Sequence, residues 1–153
     1  MIKISIIPFD QKYANYFYDL NVAWLQKYFY VEPYDKKVLG DPQTYIIDKG
    51  GFIYYAKLNN EIVGTVSLLK KTDTIFELGK MAVTKKAQGF KIGTILLEYA
   101  LNVAKEKQIK KLILYSNTIL KSAIHLYQKY GFVEIELESG LYERANIKME
   151  KEL

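Results

Sequence analysis

No cysteine occurs in the 153 residues of this chain. That absence removes disulfide frameworks, cysteine-type zinc sites and thiol nucleophiles together. A single histidine, His125, is too few for an imidazole-based metal site, and no carboxylate spacing resembles a calcium loop, so no metal is expected. No window approaches the roughly 20 consecutive apolar residues that a spanning helix needs. The opening MIKISIIPFD has a short apolar run broken by Pro8, without the pattern of an export signal, so a cytoplasmic location with no membrane partner is expected. There is no internal repeat and no low-complexity tract.

What is present is the composition of a folded protein: 50% hydrophobic and 25% charged residues, with a length that suits one domain over residues 1–153. Lysine and arginine number 22 against 17 acidic residues, a formal net charge of +5. Such a surface attracts anions. The lysines are scattered through every segment rather than gathered into a stripe, which argues for a solvated surface first and a phosphate-bearing cofactor second, with nucleic acid last.

Hydrophobic periodicity divides the chain into alternating elements. Ile2 to Ile7 predicts an opening edge strand, and Asp10 to Phe29 a long helix with Asp10 as N-cap. The stretch VEPYDKKVLGDP, with two prolines and a glycine, predicts a short helical turn inside a loop. Phe52 to Leu58, Ile62 to Lys70 and Glu77 to Val83 predict an antiparallel meander, its first two strands joined by an Asn59-Asn60 hairpin turn. Between Ile92 and Ala104 the period lengthens to that of an amphipathic helix. A strand from Lys111 to Ser116, a helix from Leu120 to Tyr130 closed by Gly131, and two strands over Phe132 to Glu138 and Tyr142 to Glu150 complete the pattern. The order is β-α-(α)-β-β-β-α-β-α-β-β.

The chemistry concentrates where the strand Glu77-Leu-Gly-Lys-Met-Ala-Val83 passes through Gln88-Gly-Phe-Lys-Ile-Gly93-Thr94 into the amphipathic helix. A strand leading through a glycine-containing loop to a helix N-terminus gathers free amides and the positive dipole end, which suits a diphosphate. Neither a P-loop nor GxGxxG is present. The run Gln88-x-x-Lys91-x-Gly93 resembles the Q/R-x-x-G-x-G/A pyrophosphate loop of the GNAT acetyltransferase superfamily, with Lys91 in place of the middle glycine. The downstream run from Asn117 through Ala123 and Tyr127 to Gly131-Phe132 is similar to that family's N-x-x-A-x-x-L-Y-x-K-x-G-F segment, with a longer Asn-to-Ala gap.

The resemblance implies a mixed α/β (α+β) fold, mostly antiparallel and splayed between the fourth and fifth strands to admit acetyl-CoA. It implies direct transfer of acetyl to a primary amine, or, in a non-catalytic relative, acyl-CoA binding alone. By resemblance, Met81, Ala82 and Val83 with the loop Gln88, Gly89, Phe90, Lys91, Ile92, Gly93 and Thr94 hold the cofactor. Asn117 contacts it as well. Tyr127 sits near the sulfur, where a phenol with an ordinary pKa near 10 can donate to the departing thiolate. Glu77, six residues before Val83, takes the place of the base glutamate, and strand alternation puts Glu77, Gly79, Met81 and Val83 on one face. Trp24, Tyr28, Glu32, Asp35, Arg144 and Asn146 lie on the segments expected to wall the acceptor pocket, with Tyr142 beside them on the final strand. Arg144 suits a carboxylate or phosphate, and Glu32 or Asp35 an ammonium. His125 falls on the polar side of its helix and is assigned to solvent. The acceptor amine stays open, and so does a homodimer.

Overall fold

A computed structural model describes residues 2–138, 140 and 142–153. Seven strands form one sheet in the order β1-β2-β3-β4-β5-β7-β6. They are β1 (Ile4–Pro8), β2 (Phe52–Leu58), β3 (Glu61–Lys70), β4 (Ile75–Val83), β5 (Lys111–Ser116), β6 (Val133–Ile135) and β7 (Ile147–Glu152). All neighbours pair antiparallel except β4 and β5, which run parallel. The long helices are α1 (Ala14–Tyr28), α2 (Pro33–Gly40), α3 (Ile92–Glu106) and α4 (Lys121–Lys129).

Local chemistry accounts for most of these boundaries. The Asp10 carboxylate accepts from the Lys12 amide at 3.0 Å and opens a 3-10 turn, Gln11–Tyr13, that runs into α1. Asn59 and Asn60 take φ values of 51° and 74°, the double left-handed turn that matches the twist of paired strands. The prolines and charges before β2 make more regular structure than the sequence suggests. Pro33 occupies the first turn of α2, and Glu32 with Asp35 forms a reciprocal capping box. An eight-residue helix therefore stands where a short turn is expected.

Two apolar layers flank the sheet. On one face, α3 and α4 cover a cluster that includes Val66, Leu68, Phe76, Leu78, Leu96, Leu97 and Leu112. Helix α3 approaches β3 so closely that a Cβ on Gly64 would lie 3.1 Å from Ile92 and Leu96. On the other face, α1 and α2 cover Phe17, Leu25, Leu39, Ile53 and Leu69. Each such side chain contributes about 1.5–3 kcal/mol by leaving water.

The C-terminal strands are shorter than expected. Strand β7 begins at Ile147, so Tyr142, Arg144 and Asn146 occupy a turn rather than the final strand. From that segment Tyr142 and Arg144 reach the opening described below, whereas Asn146 bonds Thr118.

Candidate active site

Strands β4 and β5 are paired only over Ile75 to Glu77 against Lys111 to Ile113. Beyond Glu77 they separate. The opening is lined by Leu78, Gly79, Lys80 and Met81 on one side and by Leu114, Tyr115, Ser116 and Asn117 on the other. Helix α1 contributes Asn21, Trp24 and Leu25, the residue that follows it contributes Phe29, and α4 contributes Ala123 and Tyr127. The cavity measures about 170 Å³.

Glu77 lies at the bottom of this opening, 2% exposed. Its Oε2 accepts from the Tyr142 hydroxyl at 3.1 Å, and its Oε1 faces the Lys71 ammonium at 3.0 Å without an aligned hydrogen bond. The carboxylate is thus oriented from both sides while one oxygen keeps acceptor capacity. Burial, with Glu77 beside it, pushes the Tyr142 hydroxyl far above its ordinary pKa, so Tyr142 remains a donor.

Strand alternation does not carry past Gly79. Thr65 and Ser67, two residues apart on β3, face Ala82 and Gly79, three apart on β4, so β4 holds one extra residue. Lys80 lies in this bulge at φ 47°. Glu77 and Gly79 consequently face α1 and α2, whereas Met81 and Val83 pack with the cluster under α3. The single face expected for all four residues is split by the bulge. Ala82, opposite Thr65, faces the α1 side.

Tyr127 is held by the end of its own helix. Gly131, at φ 94°, closes α4 with two bonds, from the Gly131 amide to the Gln128 carbonyl at 3.0 Å and from the Phe132 amide to the Tyr127 carbonyl at 3.0 Å. This Schellman closure brings the Phe132 ring against the Tyr127 ring, centroids 5.9 Å apart. Burial pushes the Tyr127 hydroxyl up to about 12. It stays protonated throughout the neutral range.

A buried ionic cluster closes the opposite wall. Arg144 donates to Glu32 at 2.8 Å and to Asp35 at 2.6 and 3.0 Å, and Lys80 donates to the same Asp35 at 3.0 Å. Asp35 is fully buried. Desolvation would raise its pKa, but the Arg144 and Lys80 cations outweigh that and hold it below the ordinary carboxylate range. Burial lowers the Lys80 pKa despite the attraction of Asp35. The charges expected to meet a ligand are therefore spent on one another: Arg144 clamps Glu32 and Asp35, and those carboxylates hold protein cations. Asn146 bonds Thr118 through both ends of its amide, at 2.9 and 3.1 Å, and stands outside the cavity lining. Tyr28 is exposed and touches the cavity only through Trp24, whose ring lies 5.4 Å away.

Asn117 lines the opening with its amide already engaged, donating to the Arg144 carbonyl at 2.7 Å and accepting from the Ile119 amide at 3.0 Å. The loop before α3 is open. Gln88, Gly89, Phe90 and Lys91 are exposed, and Gly89 and Lys91 take φ values of 97° and 59°. The first α3 amide with a helical partner is that of Ile95, bonded to the Lys91 carbonyl at 3.0 Å, so those of Ile92, Gly93 and Thr94 precede the ladder. Lysine 91 adopts the left-handed conformation that a glycine would. His125 is exposed, on the solvent side of α4.

Residues 14–132 match the family model described as the Acetyltransferase (GNAT) family. The chain belongs to the GNAT acetyltransferase family. Streptothricin acetyltransferase A of Bacillus subtilis (strain 168) is 30% identical over 115 residues, covering 72% of this chain and 65% of that protein. The chain spans 48%, 65% and 29% of the length of three curated relatives that it matches. The crystal structure of a GNAT acetyltransferase from Staphylococcus aureus Mu50 superposes with a TM-score of 0.86 at 24% identity, over 98% of this chain and 99% of that one. The PaiA N-acetyltransferase of Thermoplasma acidophilum, solved in complex with coenzyme A, superposes with a TM-score of 0.76 at 19% identity, over 99% of both chains. These likenesses establish the GNAT fold, whose acyl donor is acetyl-CoA.

The residues present fit that donor. Open space surrounds the Cβ positions of Gly89 and Gly93, the amides of Ile92 to Thr94 are available at the start of a fifteen-residue helix, and the cleft between β4 and β5 leads to Tyr127 and Glu77. Among the described residues there is no group of three potential metal ligands.

The sequence brings Glu77, Met81, Asn117, Tyr127, Trp24 and Arg144 to the cavity as expected candidates. Asn21 and Lys80 join them without having been singled out, and Lys71, outside the lining, backs Glu77. For Asn21 a signal exists, since an amide in the buried stripe of an amphipathic helix requires a partner. Lys71 and Lys80 carry no such signal in sequence.

Proposed function

We infer that this GNAT family member is a cytoplasmic, single-domain enzyme that moves the acetyl group of acetyl-CoA to a primary amine by direct attack. The observation that carries this is the convergence of a buried, oriented carboxylate and a protonated phenol on one cavity, at the point where β4 and β5 separate. When bound, acetyl-CoA supplies an activated acetyl carbon with thiolate as leaving group.

The residues of the chain do the rest. The amides of Ile92, Gly93 and Thr94, with Lys91 beside them, grip the diphosphate, and the free edge of β4 around Met81 and Val83 meets the pantetheine arm and acyl oxygen. Glu77 accepts the proton shed by the amine as the C–N bond forms. Tyr127 donates to the sulfur as the C–S bond breaks. With its pKa near 12, well above an ordinary thiol near 8.5, the phenol stabilises the developing thiolate chiefly as a hydrogen-bond donor. The left-handed Lys91 preserves the cradle, which catalysis and acyl-CoA binding alone both need; the Glu77 carboxylate and Tyr127 phenol on one cavity favour turnover over binding alone.

The test is release of free CoA thiol from acetyl-CoA across a library of amines. Glu77→Gln is expected to lower kcat/KM by about 100- to 10,000-fold, and Tyr127→Phe by about 10- to 100-fold, each with an unchanged KM for acetyl-CoA. Wild-type turnover that survives both substitutions would overturn the assignment.

A further inference from the structure

We propose that the acceptor is a primary amine on an uncharged body the size of a single ring, and that Asn21 is the residue that selects and holds it. This rests on the transferase reading and names its substrate class.

Charge decides first. The two cationic residues in the cavity lining are Lys80 and Arg144. Arg144 is bonded to Glu32 and Asp35, and Lys80 to Asp35, so two cations meet two carboxylates within the wall. A substrate carboxylate or phosphate entering here finds no unspent partner and forfeits its hydration. Amino acids and phosphorylated amines are thereby disfavoured.

Shape and surface decide next. Trp24 and Leu25 of α1, with Phe29 just past its end, present an apolar wall to the cavity, and the Trp24 and Phe29 rings lie 5.8 Å apart. Aromatic faces attract an arriving ammonium without demanding an anion. The volume, about 170 Å³, also takes the acetyl thioester beside Met81, Asn117 and Tyr127, so the share left to the acceptor is no larger than a cavity that takes one benzene ring (~150 Å³). A polycation would leave additional charges against this apolar wall.

Asn21 supplies the polar contact. It is 4% exposed and lines the cavity. Its Nδ2 donates to the Phe17 carbonyl at 2.9 Å, one turn back, which fixes the orientation of the amide. The Oδ1 accepts from no described residue. That oxygen keeps accessible surface in the cavity wall and open acceptor capacity, and the N–H of the acceptor amine is the donor that fills it, leaving Glu77 to take the proton shed on attack.

The test compares matched substrates on the wild-type enzyme: 2-phenylethylamine, phenylalanine, which adds only a carboxylate, and spermidine. The kcat/KM for 2-phenylethylamine is expected to exceed that for phenylalanine by about 100-fold and to exceed that for spermidine. Asn21→Leu should raise the KM for 2-phenylethylamine about tenfold while kcat and the KM for acetyl-CoA hold, a split that general loss of structure would not produce. Calorimetry on the CoA-loaded protein reads the same preference without turnover. Binding of 2-phenylethylamine over phenylalanine with no thiol release would sink the transferase reading and leave the inference standing. Equal or better use of phenylalanine or spermidine, or an Asn21→Leu variant with an unchanged amine KM, overturns the inference.

Discussion

Replacing Asp35 with asparagine removes one charge from the most densely paired buried cluster in the chain. The Asp35 carboxylate serves four donors: the Glu32 amide at 3.0 Å, two Arg144 nitrogens at 2.6 and 3.0 Å, and the Lys80 ammonium at 3.0 Å. An asparagine amide offers one oxygen where two stood, so its NH2 meets an Arg144 donor whichever way it turns, together with either Lys80 or the Glu32 amide. Arg144 retains Glu32. Lys80, with its side chain 5% exposed, is left with no carboxylate partner of its own. Breaking a buried pair in this way costs about 3–5 kcal/mol. For a domain of this size, at about 2–4 °C per kcal/mol, the melting temperature should fall by about 6–20 °C. Urea unfolding and calorimetry of wild type, Asp35→Asn, Lys80→Met and the double variant measure this directly. The double variant should recover at least half of the loss, because an apolar side chain at position 80 leaves no stranded cation. The acid limb supplies a second readout. Because the folded-state pKa of Asp35 is depressed, its stabilisation is complete above the ordinary carboxylate value, about 3.9, and is lost as pH falls through the folded-state value. Wild type should therefore lose stability below about pH 4 more steeply than Asp35→Asn does. A loss under about 1 kcal/mol in the single variant, or no rescue by Lys80→Met, would refute the view that these charges need one another.

Lys91→Gly should relieve a left-handed non-glycine residue and raise stability by up to about 1 kcal/mol, measured by urea unfolding. A loss of stability instead would show that contacts, not conformation, hold Lys91. Gly51→Ala should cost about 2 kcal/mol or more, since its Cβ would stand 2.6 Å from the Leu68 carbonyl oxygen and 2.9 Å from Ile46 Cγ2. A neutral effect would mean that the junction into β2 is looser than its geometry. The phenol assignment predicts that Tyr127→Phe keeps its melting temperature within about 2 °C, because the ring remains packed on Phe132. Activity and stability should separate in that variant.

The elements that sequence determines by itself are those set by neighbours in the chain. The Asn59-Asn60 turn, the 3.6-residue stripe of α3, the Gly131 stop that orders Tyr127 and the open loop before α3 all follow from propensities and bonds within a few residues. Only the tertiary structure decided the rest of the site. The extra residue at Lys80 that sends Glu77 and Met81 to opposite faces appears in the register of β4 against β3, not in β4 alone. Arg144 meets Glu32 and Asp35 across separations of 112 and 109 residues, and Tyr142 meets Glu77 across 65. A charge reads the same in sequence whether it faces water, a ligand or another charge. Which of these it faces is set by the burial and pairing that folding imposes.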